Sequence, residues 1–291
     1  MKADIVCEGG GVKGIALLGA IYYLEEKGYT FQNFAGTSAG AIVSSLLAVG
    51  YTGKELKELL LNIKFTDFYE KNKLSLLPFI GPTISLFKNK GLFSGNNIEE
   101  YLNKLYKAKG KHKFKDIAVN GKSPLKVIAS DVTNKKLLVL PDDLKNYNID
   151  PLEFEIAKAV RMSISIPFYF NPVILKYGKE SSYIVDGGIF SNFPIWLFDV
   201  DGIPKWPTFG LKLLSDNDLK KTSPNKSNLI TFGVLKSSFI YSSNVLSFSS
   251  FILWIFLIFN SLLALFSTAL ILLSITSASS NTLSVRFSGC L

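Results

Sequence analysis

A serine between two glycines is the residue whose surroundings in this sequence most clearly suggest chemistry. Ser38 lies in the motif Gly36-Thr37-Ser38-Ala39-Gly40. Flanking glycines permit the strained turn between a strand and a helix that exposes a serine hydroxyl as a nucleophile. The unpaired N–H groups that begin the following helix favour the negative charge that develops during acyl transfer. The motif predicts a nucleophilic serine, although a turn that only packs a strand against a helix has the same pattern.

A serine nucleophile needs a base, and the sequence offers more than one acidic candidate. The single histidine, His112, lies in a lysine-rich stretch and precedes the candidate aspartates, so the order Ser, Asp, His of an α/β-hydrolase triad is absent. Asp186 ends an apolar run and is followed by two glycines, which places its carboxylate at the carboxyl edge of a predicted sheet. Asp131 also ends an apolar run and is an alternative base. Spacing alone does not separate the two.

A second glycine-rich motif follows the first apolar run of the chain. It consists of Gly9, Gly10, Gly11 and Gly14. Such a motif can bind a dinucleotide, but a dinucleotide site needs an acidic residue about 20 positions further on. That region contains only Gln32 and Asn33 as polar candidates, and Lys13-Gly14 is not followed by the Ser or Thr of a P-loop. Both nucleotide-binding interpretations are therefore disfavoured.

Apolar periodicity predicts the elements that must position these residues. Short apolar runs predict strands at residues 3–7, 31–35, 125–129, 137–140 and 183–185. Helical spacing predicts helices at residues 15–24, 41–49, 52–61 and 96–106. Two strand–turn–helix units within the first fifty residues favour a parallel α/β sheet.

Three motifs in a fixed order resemble the patatin-like phospholipases. They are EGGGVKG at 8–14, GTSAG at 36–40 and DGG at 186–188, with further similarity at 159–170 (AVRMSISIPFYF), Asn192 and Pro194. The resemblance covers roughly residues 3–200. It implies an α/β fold, a three-layer α/β/α sandwich with a mainly parallel central sheet. It also implies a Ser-Asp dyad in place of a triad, which removes the need for a histidine.

The resemblance also implies a role for each matched residue. Ser38 becomes the nucleophile on an elbow formed by Gly36 and Gly40, and Asp186 becomes the general base. The loop of Gly9, Gly10, Gly11 and Gly14 becomes the oxyanion hole, with the Gly10 and Gly11 amides as the expected donors. The implied activity is hydrolysis of acyl esters in phospholipids or related lipids, with no metal and no cofactor. The alternative is a lipid-binding or scaffold protein that is anchored by its C-terminal tail and whose hydrolase site is vestigial.

Composition limits the class of protein further. The chain has 291 residues, a formal net charge of +9, 48% hydrophobic and 19% charged residues, which excludes disorder as the main state. Its two cysteines, Cys7 and Cys290, form no disulfide framework and indicate a reducing compartment. One histidine leaves no cluster for zinc. The lysines are scattered without a reader motif, so nucleic acid is discounted as a partner.

The sequence changes character towards its end. We predict a catalytic domain at residues 1–200, a polar extension at 201–236 and a charge-poor hydrophobic helical tail at 237–291, in which Arg286 is the only charged residue. Residues 251–275 are long and apolar enough for a transmembrane helix. A buried core helix, an interfacial hairpin or a stretch translated out of frame are alternatives. With a membrane helix there, the positive-inside rule would place residues 1–236 in the cytoplasm.

A second apolar segment lies within the predicted catalytic domain. Residues 74–87 are apolar, are interrupted by Pro78, Gly81 and Pro82, and are bracketed by lysines. This layout suits contact with an anionic bilayer or a lid over an acyl groove. A core segment with lysines at its solvated ends explains it equally well. Together these features predict a membrane-associated lipid acyl hydrolase.

Overall fold

Strands and helices alternate along the chain in the computed structural model, which describes residues 1–62 and 90–213. The helices are α1 (Ile15–Glu26), α2 (Ala39–Ala48), α3 (Gly53–Asn62), α4 (Asn96–Ala108) and α5 (Ile156–Ser163). The strands are β1 (Lys2–Cys7), β2 (Thr30–Thr37), β3 (Gly91–Phe93), β4 (Leu125–Asp131), β5 (Lys136–Leu140), β6 (Phe168–Phe170), β7 (Val173–Tyr177), β8 (Glu180–Asp186) and β9 (Thr208–Leu211). The strands and helices that the apolar pattern predicts are confirmed, with ends that shift by a few residues.

The central sheet has the strand order β7-β8-β4-β2-β1-β9, and β5 also pairs with β4. Pairing is parallel from β4 through β2 and β1 to β9. It is antiparallel where β4 meets β5 and β8, and where β7 meets β8. The prediction of a mainly parallel central sheet is therefore confirmed, although the sheet is mixed: β5, β7 and β8 join it by antiparallel pairing. The reason is connection length: the tight turns between β4 and β5 and between β7 and β8 allow only antiparallel neighbours.

Helix α2 packs against β2 and β1 through small residues that follow Ser38. Gly40, Ala41 and Ser44 are buried, so the helix backbone approaches the sheet closely. The Ser44 hydroxyl donates a 2.7 Å hydrogen bond to the Ala35 carbonyl, which satisfies a polar group in the interior. The start of α2 is thereby held directly under the end of β2.

Helix α5 packs against β4, β8 and α4. Its apolar side chains recur with helical spacing on the face that it buries. The fully buried members are Ile156, Ala157, Ala159, Val160 and Met162. Burying each large aliphatic side chain contributes about 1.5–3 kcal/mol. This packing brings Ser163, the last residue of α5, to the sheet edge where β2 ends.

The two faces of the central sheet are both buried. One face, with Ile5 and Val127, joins the helices in the main hydrophobic core. The opposite face carries buried Val6 and Ile128, and residues 193–195 cover part of it by packing over Gly210. A third helical layer on that face remains a prediction.

The hydrophobic helical tail predicted at 237–291, with its candidate membrane helix at 251–275, lies outside the described residues. The apolar segment at 74–87 lies outside them as well. Across residues 1–62 and 90–213, no helix combines the length and hydropathy that a bilayer crossing requires. The predicted boundaries at 200 and 236 remain predictions.

Candidate active site

Ser38 lies at the turn between β2 and α2, as its motif predicts. Its backbone has φ 53° and ψ −123°, a conformation that non-glycine residues adopt at a cost in free energy. The flanking glycines are required because backbones meet there. A Cβ on Gly36 would lie 2.3 Å from the Gly40 carbonyl oxygen, and one on Gly40 would lie 2.2 Å from the Cys7 carbonyl oxygen. The predicted elbow of Gly36, Ser38 and Gly40 therefore has the expected geometry.

Hydrogen bonds from distant segments hold this turn in place. The main-chain N–H of Ser38 donates to Ser163 Oγ at 2.9 Å. The preceding hydroxyl, Thr37 Oγ1, donates to the Ser191 carbonyl at 2.9 Å. Both bonds reach residues far along the chain, so the strained turn is fixed by the assembled fold.

Asp186 ends β8 and begins a short 3-10 turn over Gly187–Ile189. Its Oδ1 accepts the Gly188 N–H at 2.7 Å, and its own N–H donates to the Ser165 carbonyl at 2.9 Å. The residue is 6% exposed. The sequence prediction that this carboxylate lies at the end of a buried strand is confirmed.

The structure brings Ser38 and Asp186 together. Burial raises the pKa of Asp186 above its usual value, and hydrogen bonding from the Ser38 hydroxyl and the Gly188 N–H opposes that rise only in part. Among the described residues, the buried Asp186 Oδ2 has no hydrogen-bond partner. The Ser38 hydroxyl is thus close to the Asp186 carboxyl, without forming a complete hydrogen bond to this oxygen.

The glycine-rich loop packs directly against the serine turn. A Cβ on Gly9 would lie 3.2 Å from the Thr37 carbonyl oxygen, and one on Gly14 would lie 2.9 Å from the Ala39 Cβ. Gly9 donates its N–H to the Asn192 carbonyl at 3.0 Å. That N–H is therefore unavailable to an oxyanion, and the amides of Gly10 and Gly11 are the remaining predicted donors in the first turn of the loop.

Asp131, the alternative base, is occupied by structural hydrogen bonds. Its Oδ1 accepts the main-chain N–H groups of Thr133 and Asn134, each at 2.9 Å. Its Oδ2 accepts the Tyr147 hydroxyl at 2.6 Å and the Asn134 side-chain amide at 2.8 Å. Burial would raise the pKa of Asp131, but the bonds from Tyr147 and Asn134 outweigh burial and hold that pKa below its usual value. Such a carboxylate stabilises a turn and makes a poor base.

Two other features lie apart from this group of residues. His112 contacts Asn103 at 3.1 Å and Glu155 at 3.5 Å in a partly exposed polar cluster. A cleft of about 260 Å³ near Tyr147 and Tyr177 includes neither Ser38 nor Asp186 in its lining. Across the part of the chain that the structure describes, no group of three His, Cys, Asp or Glu side chains is arranged to hold a metal ion.

The structure adds residues that sequence reasoning did not assign. Ser163 and Asn192 contact the serine turn and the glycine loop. Arg161 is buried in α5 and donates to the Ser165 hydroxyl at 2.5 Å, to the Asn171 carbonyl at 2.8 Å and to the Ser94 carbonyl. All three lie in stretches that carry the family resemblance, which was the only signal for them in the sequence.

The fold is α/β with a mixed central sheet. Within it, a serine lies on a strained strand–helix turn beside a glycine loop and a buried aspartate, which is the arrangement that the motif order predicts. The family described as Patatin-like phospholipase matches residues 5–199. The chain belongs to this family. The match includes the glycine loop, the serine turn and the Asp186 turn.

Similar proteins include cellular and viral relatives. The chain is 45% identical over 214 residues to the uncharacterized protein YqhO of Bacillus subtilis (strain 168), covering 73% of this chain and 72% of that protein. It is 32% identical over 195 residues to the probable lipid hydrolase 463L of Invertebrate iridescent virus 6, covering 66% of this chain and 61% of that protein. The solved structure of VipD from Legionella pneumophila has a TM-score of 0.43 and 20% identity, covering 70% of this chain and 48% of that chain.

Proposed function

We propose that the protein is a serine lipid acyl hydrolase that cleaves carboxylic ester bonds of phospholipids or related acyl lipids and releases fatty acids. The observation that carries the proposal is the proximity of the Ser38 and Asp186 side chains. The hydroxyl of Ser38, on its strained turn, lies close enough to the buried Asp186 carboxyl to oppose part of the rise in pKa that burial causes in that group. A serine beside a buried carboxylate has the parts of a two-residue nucleophile and base.

The reaction proceeds through an acyl-enzyme. Asp186 accepts the Ser38 hydroxyl proton while Ser38 Oγ forms a bond to the ester carbonyl carbon. The tetrahedral intermediate collapses, the bond to the alcohol oxygen breaks, and the alcohol leaves with the proton from Asp186. Water then gives a proton to Asp186 and attacks the acyl carbon, and Ser38 recovers its proton as the fatty acid departs.

Three features of the site would lower the barrier to acyl transfer. Burial raises the pKa of Asp186, which makes its carboxylate a stronger base than an exposed aspartate. The amides of Gly10 and Gly11 would donate to the oxyanion, and one such donor typically contributes about 2.7–4 kcal/mol to transition-state stabilisation. The N-terminus of α2, directly after Ser38, adds a favourable dipole.

Family membership and exposed apolar side chains favour lipid substrates. The family description is Patatin-like phospholipase, and the viral relative is named a probable lipid hydrolase. Ile189, Phe190 and Trp196 follow Asp186 closely in the chain and are 44–50% exposed. We propose that these side chains touch acyl chains or the bilayer surface when substrate is taken up. A membrane anchor at 251–275 would add to this contact.

The test uses the full chain with vesicles of phosphatidylcholine and with a soluble p-nitrophenyl ester. We expect wild-type protein to release fatty acid and to react with a fluorophosphonate probe. Ser38→Ala and Asp186→Asn should each lower kcat by about 10⁴-fold or more, while Lys158→Ala, a substitution on the partly exposed side of α5, should leave it unchanged. Thermal unfolding checks that each variant is folded. A folded Ser38→Ala protein with wild-type hydrolysis refutes the proposal, and a wild-type protein that neither hydrolyses nor reacts indicates the binding or scaffold role.

A separate measurement tests the surface contact. Ile189→Ser and Phe190→Ser together should reduce binding of the Ser38→Ala protein to phosphatidylcholine vesicles, with hydrolysis of the soluble ester by otherwise wild-type protein retained. The matched control is Ile174→Ser, because Ile174 is 49% exposed but lies on β7. Equal vesicle binding by the double variant and by the control protein would refute this part of the proposal.

A further inference from the structure

Asn192 contacts the glycine loop with both its main chain and its side chain. Its carbonyl oxygen accepts the Gly9 N–H at 3.0 Å. Its side-chain Nδ2 donates to the Gly9 carbonyl, also at 3.0 Å. Both polar backbone groups of Gly9 are therefore bound by one residue that lies 183 positions further along the chain.

The Gly9 carbonyl is important because it shares a peptide unit with the Gly10 N–H. In a trans peptide the C=O and the N–H point in opposite directions. A side chain that fixes the direction of the Gly9 oxygen thereby fixes the direction of the Gly10 N–H. Between two glycines this restraint is needed, because without Cβ atoms the intervening peptide can rotate to other orientations at low cost.

Glu8 fixes the orientation of the Asn192 amide in turn. Glu8 is buried, and its Oε1 lies 3.4 Å from Asn192 Nδ2 while its Oε2 accepts the Leu213 N–H at 2.6 Å. Because the Gly9 carbonyl and the Glu8 carboxylate are both acceptors, only the NH₂ end of the amide can face them. The carboxylate thus prevents the amide from turning its oxygen towards the loop.

The same segment carries the proposed base. Asn192 lies six residues after Asp186, and a Cβ on Gly188 would lie 3.1 Å from Asn192 Oδ1. The Asp186 carboxylate also accepts the Gly188 N–H. One turn of chain therefore holds the base and, through Asn192, the loop that contains the amide donors.

We propose that Asn192 is a positioning residue, whose side-chain amide directs the Gly10 N–H towards the oxyanion that forms at Ser38. The inference rests on the proposed hydrolase function. It assigns to Asn192 an effect on the stability of the transition state, which is separate from substrate binding and from folding. Loss of the amide should therefore lower kcat and leave KM and the melting temperature nearly unchanged.

The experiment compares three variants of the full-length protein with a soluble p-nitrophenyl ester. Asn192→Ala removes the amide, and Asn192→Asp keeps its size but replaces the donor with an acceptor. Asn146→Ala is the matched control, because Asn146 is an exposed asparagine whose side-chain amide donates to Asp143, away from the glycine loop and from Asp186. The readouts are kcat, KM, the rate of fluorophosphonate labelling and the melting temperature.

We expect kcat and the labelling rate of Asn192→Ala to fall by about 100-fold, in the range of a lost oxyanion donor, with KM within about threefold of wild type. Asn192→Asp should be at least as slow, and Asn146→Ala should match wild type. A folded Asn192→Asp protein with wild-type kcat overturns the proposal, as does a rise in KM at constant kcat. Loss of folding in both Asn192 variants also overturns it, because Asn192 is then structural. If wild-type protein shows no hydrolysis and no labelling, the proposed function itself has failed.

Discussion

The main-chain N–H of Ser38 donates a 2.9 Å hydrogen bond to the side chain of Ser163, which lies 125 residues further along the chain. Ser163 is fully buried and Ser38 is nearly so. The donor is an amide at the start of α2, where backbone N–H groups lack partners within the helix. The bond therefore links the strained serine turn to the end of α5 and uses an amide that could otherwise bind water or substrate.

Replacing Ser163 with alanine should destabilise the protein. Ser163→Ala leaves the buried Ser38 N–H without its acceptor, which costs about 1–3 kcal/mol of unfolding free energy. The turn also loses a restraint, so kcat should fall. Urea unfolding and ester hydrolysis measure the two effects. Ser191→Ala, which removes an exposed hydroxyl contact, should change the free energy of unfolding by less than about 0.5 kcal/mol. Equal stability of the Ser163 and Ser191 variants would contradict a structural role for this bond.

The pH dependence of hydrolysis should report the raised pKa of Asp186. Burial places the pKa of this carboxyl above 3.8, the ordinary value for aspartate. A general base must be ionised, so kcat/KM should fall as pH decreases through the raised pKa, and the midpoint of this acid limb should lie above pH 3.8. A soluble ester substrate avoids effects of pH on lipid vesicles. Circular dichroism at each pH identifies any loss of folded protein, and an acid limb at or below the ordinary value in folded protein would exclude Asp186 as described.

The same carboxyl should make the wild-type protein less stable than a neutral variant near pH 7. Burial raises the pKa of Asp186 in the folded state. The contribution of this carboxyl to the free energy of unfolding is therefore fully present below its pKa in the unfolded chain, and it is lost as pH rises through its pKa in the folded protein. Asp186→Asn removes that loss, so this inactive variant should melt at a higher temperature than wild type at pH 7. The difference should shrink as pH falls towards 4. A lower melting temperature for the variant at pH 7 would show that the ionised carboxylate stabilises the fold.

Local pattern was sufficient to predict the elements around Ser38. β1, α1, β2 and α2 each carry their own apolar periodicity or turn glycines, so neighbouring residues specify them. The sequence did not reveal β3 and β6, which are three residues long and pair with each other across 77 positions from Gly91 to Phe168. The sequence also did not show which strands of the mainly parallel sheet pair antiparallel, because strand direction depends on the tight turns between strands and on pairing partners that periodicity does not encode.

The candidate site was predictable where adjacent residues define it. Ser38 lies two residues from a glycine on either side, and Asp186 directly precedes two glycines. The sequence could not separate Asp186 from Asp131, since each ends a buried strand. The hydrogen bonds that occupy Asp131 come from Thr133, Asn134 and Tyr147, and only the fold brings the last of these to the carboxylate. In the same way, the use of the Gly9 N–H by a distant carbonyl could not be predicted from spacing.

Arg161 joins three segments around the end of α5. The residue is 2% exposed. Its guanidinium donates to the Ser165 hydroxyl and to the carbonyls of Ser94 and Asn171. Burial lowers the pKa of Arg161 to about 10, and Glu99 opposes that shift. The group stays charged at neutral pH, so each of these bonds has an ionised donor and is stronger than a neutral one.

Replacing Arg161 should therefore loosen α5 and, through Ser163, the serine turn. Hydrogen bonds with a charged partner contribute about 1.5–3 kcal/mol each, and desolvation of the guanidinium offsets part of this, so Arg161→Ala should cost about 3 kcal/mol of unfolding free energy. Arg161→Lys should be intermediate, because a single ammonium cannot match the planar fork. Lys158→Ala, on the same helix but only partly buried, is the control for helix propensity. Urea unfolding measures all three, and an Arg161→Lys protein as stable as wild type would show that charge alone, without the fork geometry, holds these segments together.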